Sequence, residues 1–146
     1  MNKKSILPVM AVFLLGCGPT AEEKAAPQLA HIEQLYKQGR YQETLAAISR
    51  LRKEHPKAIK ARQRALVVWQ DASLRLTQTD VGRTDSALQA VSRQWANEKN
   101  LLKKNKLRVK RDSLQARYET LCGTVRVIHG RQQQLKNDQL LRQNSK

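Results

Sequence analysis

The sequence has little of several residue types on which particular kinds of protein depend. Aromatic residues make up 4% of the 146 residues, and there are 6 glycines and 4 prolines. So few aromatic side chains, together with a negative mean hydropathy, do not fit a dense globular core. The low glycine and proline content excludes a disordered chain of the Gly/Pro-rich kind. We therefore expect a mostly helical, elongated protein.

Acidic residues and the motifs of known catalytic sites are also scarce. The chain has 12 acidic residues against 28 basic ones, and the scattered acids argue against a paired-carboxylate site. There is no glycine-rich phosphate loop and no G-x-S-x-G turn. His31, His55 and His129 are isolated, and none has metal-ligand spacing with Cys122. We therefore expect no catalytic residues, no metal site and no cofactor, and a protein that is not an enzyme.

The N-terminal apolar stretch, residues 5–16, follows Lys3 and Lys4 and ends one residue before Cys17. It is too short for a permanent transmembrane helix, which needs about 20 residues. A positive start followed by a short apolar run is typical of a secretory signal peptide. We therefore expect residues 1–16 to be a signal peptide, with a short buried helix as the alternative.

Residues 14–17, LLGC, resemble the lipobox of bacterial lipoproteins. In such proteins the chain is cut before the cysteine, which then becomes acylated. The resemblance implies that Cys17 is the lipid-attachment residue and that the protein is anchored in the bacterial cell envelope; a secretory signal without a lipid is the alternative. Gly18 is not the aspartate that resembles an inner-membrane retention signal in some bacteria. The resemblance therefore favours the outer membrane, with the folded part in the periplasm.

Residues 17–26 are small, polar and charged, and we expect them to tether the lipid to the folded part. With Cys17 acylated, Cys122 is the remaining cysteine, so the fold does not depend on an intramolecular disulfide. In an oxidising envelope a lone thiol can pair between chains. The alternative is that Cys122 is a small apolar residue on a helix.

Two short helical patterns follow this tether. Pro27 suits the first turn of a helix, and the apolar residues after it recur at three- and four-residue spacing: Leu29, Ile32 and Leu35. Gly39 ends the first pattern. A second pattern with the same period ends before Pro56 and comprises Tyr41, Leu45, Ile48 and Leu51.

The second pattern carries a family resemblance. It resembles the second half of a tetratricopeptide repeat (TPR) at Gly39, Arg40, Tyr41, Ile48, Leu51 and Pro56. Thr44 departs from the family, which has a small alanine there. The resemblance implies a helical hairpin, which needs a neighbour because it cannot bury its apolar face alone. We expect a third helix from Lys57 to supply that surface within residues 27–78.

The second half of the chain carries two further apolar stripes. The first comprises Leu88, Val91, Trp95 and Leu102, and the second comprises Leu114, Tyr118, Leu121, Val125, Ile128 and Leu135. Their spacing predicts long, coiled-coil-like helices over residues 79–142 and a frayed tail at 143–146. Gly82 and the N-cap chemistry of Thr84 allow a break near 77–82. Because the stripes are out of phase, we also expect a bend or break near 103–111, with a new helix near Asp112.

The predicted fold class is therefore all-α, a TPR-like helical hairpin followed by long, coiled-coil-like helices. A wider resemblance, to a group of short lipoproteins of Bacteroidota with no assigned activity, covers about residues 41–129. That group has a repeat-like hairpin followed by coiled-coil helices, and the resemblance implies architecture and location alone. The matching segments are 56–59, 61–62, 65–66, 72–74 and 84–88.

Two clusters of basic residues are the candidate functional surfaces. The first contains no acid and consists of Lys99, Lys103, Lys104, Lys106, Arg108, Lys110 and Arg111. The second has Glu54 as its one acid and consists of Arg50, Arg52, Lys53, Lys57, Lys60, Arg62 and Arg64. Because like charges repel at helical spacing, each cluster either is a solvated face or binds an anionic partner.

The sequence thus predicts a lipid-anchored helical scaffold or adaptor of the cell envelope. Its helical seams would bind a partner protein or a second copy. The alternative is a module that binds an envelope polyanion, either anionic lipid or glycan, through the basic clusters. Nucleic acid suits the charge, but export and the lack of aromatic residues for stacking within the clusters argue against it.

Overall fold

The computed structural model describes residues 18–144, which form four helices and no strand. The helices are α1 (Ala21–Lys37), α2 (Tyr41–Glu54), α3 (Ile59–Asn97) and α4 (Leu101–Asn144). The prediction of an all-α fold is therefore confirmed. No helix in this part of the chain is apolar over a length that would cross a bilayer. The predicted signal peptide, residues 1–16, and Cys17 lie outside the described residues.

α1 begins at Ala21, earlier than the predicted start at Pro27, because a capping box starts it. The Thr20 hydroxyl accepts a hydrogen bond from the Glu23 N–H (3.2 Å), and the Glu23 carboxylate accepts one from the Thr20 N–H (2.7 Å). This reciprocal pair satisfies N–H groups that a helix start leaves without intrahelical partners. Pro27 therefore lies inside the helix, and residues 21–26, predicted as part of a tether, are helical.

The first three helices form what we call the base, which consists of α1, α2 and the first half of α3. These helices pack against one another in all three pairs. The core of the base consists of Ala25, Leu29, Ile32, Leu35, Ala47, Ile48, Leu51, Ala58, Ala61 and Ala65. The described residues therefore enclose a hydrophobic core of their own, and residues 18–144 form a folded unit.

The turn between α1 and α2 has the backbone geometry that its sequence favours. Gly39 adopts a φ of 73°, a left-handed conformation that glycine tolerates best. Thr44, which departs from the TPR pattern, is fully buried in α2. Its hydroxyl donates a hydrogen bond to the Arg40 carbonyl oxygen over 2.8 Å. The hydroxyl is therefore satisfied inside the core, which removes most of the cost of burying it.

The N-terminus of α3 is capped by a residue of α1. The Glu22 carboxylate accepts hydrogen bonds from the N–H groups of Lys60 (2.9 Å) and Ala61 (3.0 Å). α3 has no side-chain cap of its own, since Ala58 occupies the N-cap position. A carboxylate at a helix N-terminus also interacts favourably with the helix dipole. This contact offsets the basic residues of the first turns of α3 and fixes the start of α1 beside the start of α3.

Replacing Glu22 by alanine is expected to lower the free energy of unfolding by about 1 kcal/mol, because two N–H groups of α3 lose their acceptor. Urea unfolding followed by circular dichroism measures this change. Glu33→Ala is the matched control, since Glu33 lies on the same helix and pairs with the exposed Arg64 (2.8 Å). An exposed ion pair contributes less, about 0.2–1 kcal/mol. Equal losses in the two variants would contradict the capping role of Glu22.

α3 is continuous over 39 residues and crosses the predicted boundary between residues 78 and 79. A break at 77–82 does not occur, because the polar residues in this part are accommodated within the helix. Thr84 is 4% exposed and lies inside α3 instead of capping a new helix. The Thr77 hydroxyl donates a hydrogen bond to the Ser73 carbonyl oxygen over 2.8 Å.

The break between the two long helices lies at residues 98–100 and not at the predicted 103–111. Asn100 caps α4, because its side-chain oxygen accepts a hydrogen bond from the Lys103 N–H (3.1 Å). Asp112, predicted near the start of a new helix, lies inside α4. α4 therefore starts at Leu101, about three helical turns before the predicted start near Asp112.

α4 runs antiparallel to α3, and of the described helices it packs against α3 alone. Far from the loop, the Gln132 side-chain amide donates a hydrogen bond to the Asp71 carboxylate over 2.7 Å. α4 extends through Asn144, so the first two residues of the predicted frayed tail are helical. The α4 residues that are shielded from solvent include a series at alternating spacings of three and four: Lys104, Leu107, Arg111, Leu114, Tyr118, Leu121, Val125, Ile128, Gln132 and Leu135.

Candidate functional site

A strongly basic surface lies where α3 meets α4. We define the hairpin tip as residues 93–111, which comprise the end of α3, the connecting loop and the first turns of α4. The hairpin tip carries eight basic residues and one acidic residue, Glu98. All seven residues of the first predicted cluster belong to it. The fold therefore gathers this cluster at one end of an antiparallel hairpin.

The one acidic side chain of the hairpin tip forms a hydrogen bond within the connecting loop. The Glu98 carboxylate accepts a hydrogen bond from the Asn100 N–H over 2.9 Å. The first turn of α4 contains no acidic residue. The positive end of the α4 helix dipole therefore adds to the charge of the lysines around it.

Two of the seven predicted anion-binding residues contact α3. The Lys104 Nζ lies 5.2 Å from the centre of the Trp95 ring, and the Arg111 Cζ lies 4.5 Å from it. These are cation–π distances, and each such contact stabilises by about 0.5–2 kcal/mol. The sequence contained a signal for this placement, because Lys104 and Arg111 are in heptad phase with Tyr118 and Val125. The side chains of Lys104 and Arg111 therefore lie at the interface between α3 and α4 and are not part of the exposed basic surface.

The other five residues of the cluster are exposed: Lys99, Lys103, Lys106, Arg108 and Lys110. Of these, Lys103, Lys106 and Lys110 follow helical spacing and share one side of α4. Lys103 and Lys106 also line a shallow cleft of about 500 Å³ beside Gln94 and Asn97 of α3. This side of the hairpin tip is therefore a continuous cationic surface.

Apolar side chains are exposed at the apex of the same region. Leu101 is 77% exposed, Leu102 is 76% exposed and Val109 is 66% exposed. Leu101 and Leu102 form the start of α4, and helical side chains tilt towards the N-terminus of their helix. Both leucines therefore extend towards the apex of the hairpin. The predicted apolar stripe with Trp95 included Leu102, which is wrong because the helix break at 98–100 places Leu102 at the exposed start of α4. Leu101 had no predicted role.

The second basic cluster lies in the base, at the other end of the molecule, and all seven of its residues are exposed. Arg64 forms an ion pair with Glu33 (2.8 Å), and Arg62 donates a hydrogen bond to the Pro56 carbonyl oxygen (2.7 Å). At a rise of about 1.5 Å per residue, the stretch of α3 between Arg64 and Arg93 separates this cluster from the hairpin tip by roughly 43 Å. The two clusters are therefore independent surfaces.

Reactive side chains of residues 18–144 do not gather into a metal site. No group of three or more His, Cys, Asp or Glu residues in this part of the chain is placed to hold a metal ion. Cys122 is half-buried on α4. A hydrogen bond with the Cys122 thiol and, more weakly, the charge of Asp85 raise the pKa of Tyr118 above its ordinary value. Cys122 thus lies at the interface of the two long helices.

Cys17, the predicted lipid-attachment residue, lies outside the described residues. Comparison with protein-family models, curated proteins and solved structures found no match for this chain. The function is therefore inferred from the sequence together with the hairpin, its two basic ends and its exposed apolar residues.

Proposed function

We propose that this protein is a lipid-anchored helical scaffold of the bacterial cell envelope that makes protein–protein contacts along its long hairpin. In this proposal Cys17 carries the lipid after residues 1–16 are removed, and Gly18 favours the outer membrane. The base is a TPR-like hairpin completed by α3, and α3 and α4 are coiled-coil-like. The protein acts by holding a partner, without catalysis or a cofactor.

The observation that carries the scaffold proposal is a groove between α3 and α4 that no other described helix covers. We call it the open groove and define it by residues that line two shallow cavities between the helices: Val67, Gln78, Val81, Cys122, Val125 and Leu135. Val67 and Val81 are two heptads apart and therefore share one face of α3. α1 and α2 meet α3 on a different face, and their connecting turn lies beside Leu76, Asp80 and Arg83. The open groove therefore lies on a side of the hairpin that the α1–α2 turn does not cover.

The open groove has the character of a helix-binding surface. Val67 is 43% exposed, and Gln78, Val81, Cys122 and Val125 line a shallow cavity of about 220 Å³ within the groove. Apolar residues contributed by two neighbouring helices suit the apolar face of a third, amphipathic helix.

A helix of a different protein suits the open groove better than a second copy of this chain. Removal of residues 1–16, which contain Lys3 and Lys4, lowers the formal net charge from +16 to +14. Two copies would therefore bring strongly basic surfaces together and repel each other. A partner helix with acidic flanks would instead be attracted by the basic residues of α4. We therefore propose an acidic, amphipathic helix as the occupant.

Photocrosslinking from the open groove tests the scaffold role. With Cys17 acylated, Cys122 is the remaining thiol of the full-length protein. A photocrosslinker is attached to this thiol through a maleimide while the protein is in membranes. Illumination is expected to give one discrete crosslinked product with an acidic protein. The matched control carries Cys122→Ser and Thr120→Cys, since Thr120 is exposed on α4. The same crosslinked products from Cys122 and from position 120 would contradict the proposal. So would the absence of any product from Cys122 together with a strictly monomeric protein by light scattering.

The second candidate function, binding of an envelope polyanion, is favoured by the hairpin tip. Six exposed basic side chains lie there around a single acid, Glu98, whose carboxylate accepts a hydrogen bond within the loop. Trp95 is half-buried beside two cations, so it does not offer the free aromatic face on which single-stranded nucleic acid stacks. A lipid or glycan polyanion therefore fits the hairpin tip better than nucleic acid does.

A further inference from the structure

We infer that the hairpin tip inserts into the surface of an anionic lipid bilayer. Leu101 and Leu102 enter between the headgroups, while Lys99, Lys103 and Lys106 contact lipid phosphates. The inference deepens the second candidate function by naming the polyanion. It rests on residues 93–111 and depends neither on the open groove nor on the lipid at Cys17.

The placement of the two leucines favours a bilayer over a folded protein as the occupant. Leu101 and Leu102 are each more than three-quarters exposed and directly follow the loop that joins the two long helices. Consecutive helical residues point about 100° apart around the helix axis. The two side chains therefore do not fit one narrow groove of a folded partner, whereas a bilayer surface has no fixed walls and accepts both.

The charge around the leucines matches anionic headgroups. Each basic residue held near an anionic membrane surface strengthens binding, and salt screens this contribution. The Glu98 carboxylate is held by the Asn100 N–H and leaves the exposed lysines as the dominant charge. A soluble glycan would satisfy the lysines but would leave Leu101 and Leu102 in water. Apolar insertion therefore selects lipid among the polyanions of an envelope.

The hairpin tip lies at the opposite end of the molecule from the N-terminus of α1. The N-terminus of α1 lies beside the start of α3, because Glu22 contacts Lys60 and Ala61. The hairpin tip is roughly 58 Å away at the other end of α3. An upright molecule held at its N-terminus would therefore present the hairpin tip to a different surface from the one that holds the anchor.

Vesicle co-sedimentation tests the inference with residues 18–146, which contain the whole described core. The probes are vesicles of phosphatidylglycerol and phosphatidylcholine in equal parts, vesicles of phosphatidylcholine alone, and soluble polyphosphate. The chain is expected to bind the anionic vesicles, with an affinity that falls as salt rises, and to bind the neutral vesicles far more weakly. Equal binding to both kinds of vesicle would overturn the inference.

Leucine variants separate insertion from charge. Leu101→Gln with Leu102→Gln is expected to weaken binding to the anionic vesicles by about tenfold or more, while binding to polyphosphate stays unchanged. The matched control is Leu140→Gln with Leu141→Gln, because this second exposed pair lies at the far end of the same helix. The control is expected to bind as the unmodified chain does. A hairpin-tip variant that binds vesicles normally would overturn insertion, even if the lysines bind polyphosphate.

Lysine variants show which basic residues bind the anionic vesicles. Replacing Lys99, Lys103 and Lys106 by glutamine is expected to weaken binding to anionic vesicles by roughly a hundredfold and to flatten its salt dependence. The matched control replaces three exposed lysines of the base, Lys53, Lys57 and Lys60. Greater loss in the base variant than in the hairpin-tip variant would overturn the assignment to the hairpin tip. Circular dichroism of every variant is expected to show unchanged helicity, since all of the substituted residues are exposed.

Discussion

Replacing Ile48 by alanine is expected to lower the free energy of unfolding by about 2–5 kcal/mol. The Ile48 side chain is 0% exposed and lies in the core of the base with Ile32 and Leu51. The substitution removes most of a buried side chain and leaves a cavity that the neighbours fill only in part. Because folded domains are stable by about 5–15 kcal/mol, this loss is a large fraction of the total.

Ile59→Ala is the matched control for Ile48, because Ile59 is 62% exposed at the start of α3. Exposed substitutions away from caps and cores usually change stability by at most about 0.5 kcal/mol. Urea unfolding of both variants, followed by circular dichroism, measures the difference between them. Similar losses at the two positions would contradict the placement of the core between α1, α2 and the first half of α3.

Most of the buried apolar residues lie in the base, whereas the hairpin of α3 and α4 is largely exposed to solvent. Ten apolar residues form the core cluster of the base. Ile128 is the one residue of α4 that is buried among those described. α4 is therefore held by a half-buried seam, with further contributions from the hydrogen bond between Gln132 and Asp71 and from the cations on Trp95. This division explains how a short chain supports a long, accessible hairpin.

The parts of the fold that depend on local spacing could be predicted from the sequence. Ile32 and Leu35 in the first pattern, and Ile48 and Leu51 in the second, are buried as their three- and four-residue spacing predicts. Gly39 lies at the predicted turn with a left-handed backbone. Apolar periodicity is a reliable signal here because each helix buries one face against its neighbours.

The helix boundaries were harder to predict, because competing local signals pointed to different residues. Pro27 suits a helix start, but Thr20 and Glu23 form a capping box that starts α1 earlier and leaves Pro27 inside it. Asp112 also suits a helix start, yet Asn100 caps α4 first. A capping motif stabilises one helix start over another by about 1 kcal/mol. The sequence pattern alone does not show which of two candidate caps is the more stable.

Contacts between distant residues could be predicted from the sequence only in small part. The bond from Glu22 to the start of α3 spans 39 positions of the chain. The contacts of Lys104 and Arg111 with Trp95 depend on how the hairpin pairs its two helices. For the candidate site, the sequence therefore identified a basic cluster correctly as a run of charge, but it did not separate the interface cations from the exposed ones.

A Cys17→Ser variant is expected to lose the salt-resistant attachment of the protein to the membrane. Acylation contributes about 0.8 kcal/mol for each buried CH₂ of the lipid, far more than the basic surfaces contribute once salt screens them. A salt wash is therefore expected to release the variant and to leave the unmodified protein on the membrane. Cys122→Ser is the matched control, since it removes the other cysteine of the chain and is expected to stay on the membrane.

Mass spectrometry of the membrane-extracted protein tests the central claim, a scaffold held at a membrane by its N-terminus, most directly. We predict an acylated N-terminal peptide that begins at Cys17 and that is absent from the Cys17→Ser variant. A soluble protein whose Cys17 is unmodified, or whose residues 1–16 are retained, would contradict the anchor and the scaffold that depends on it.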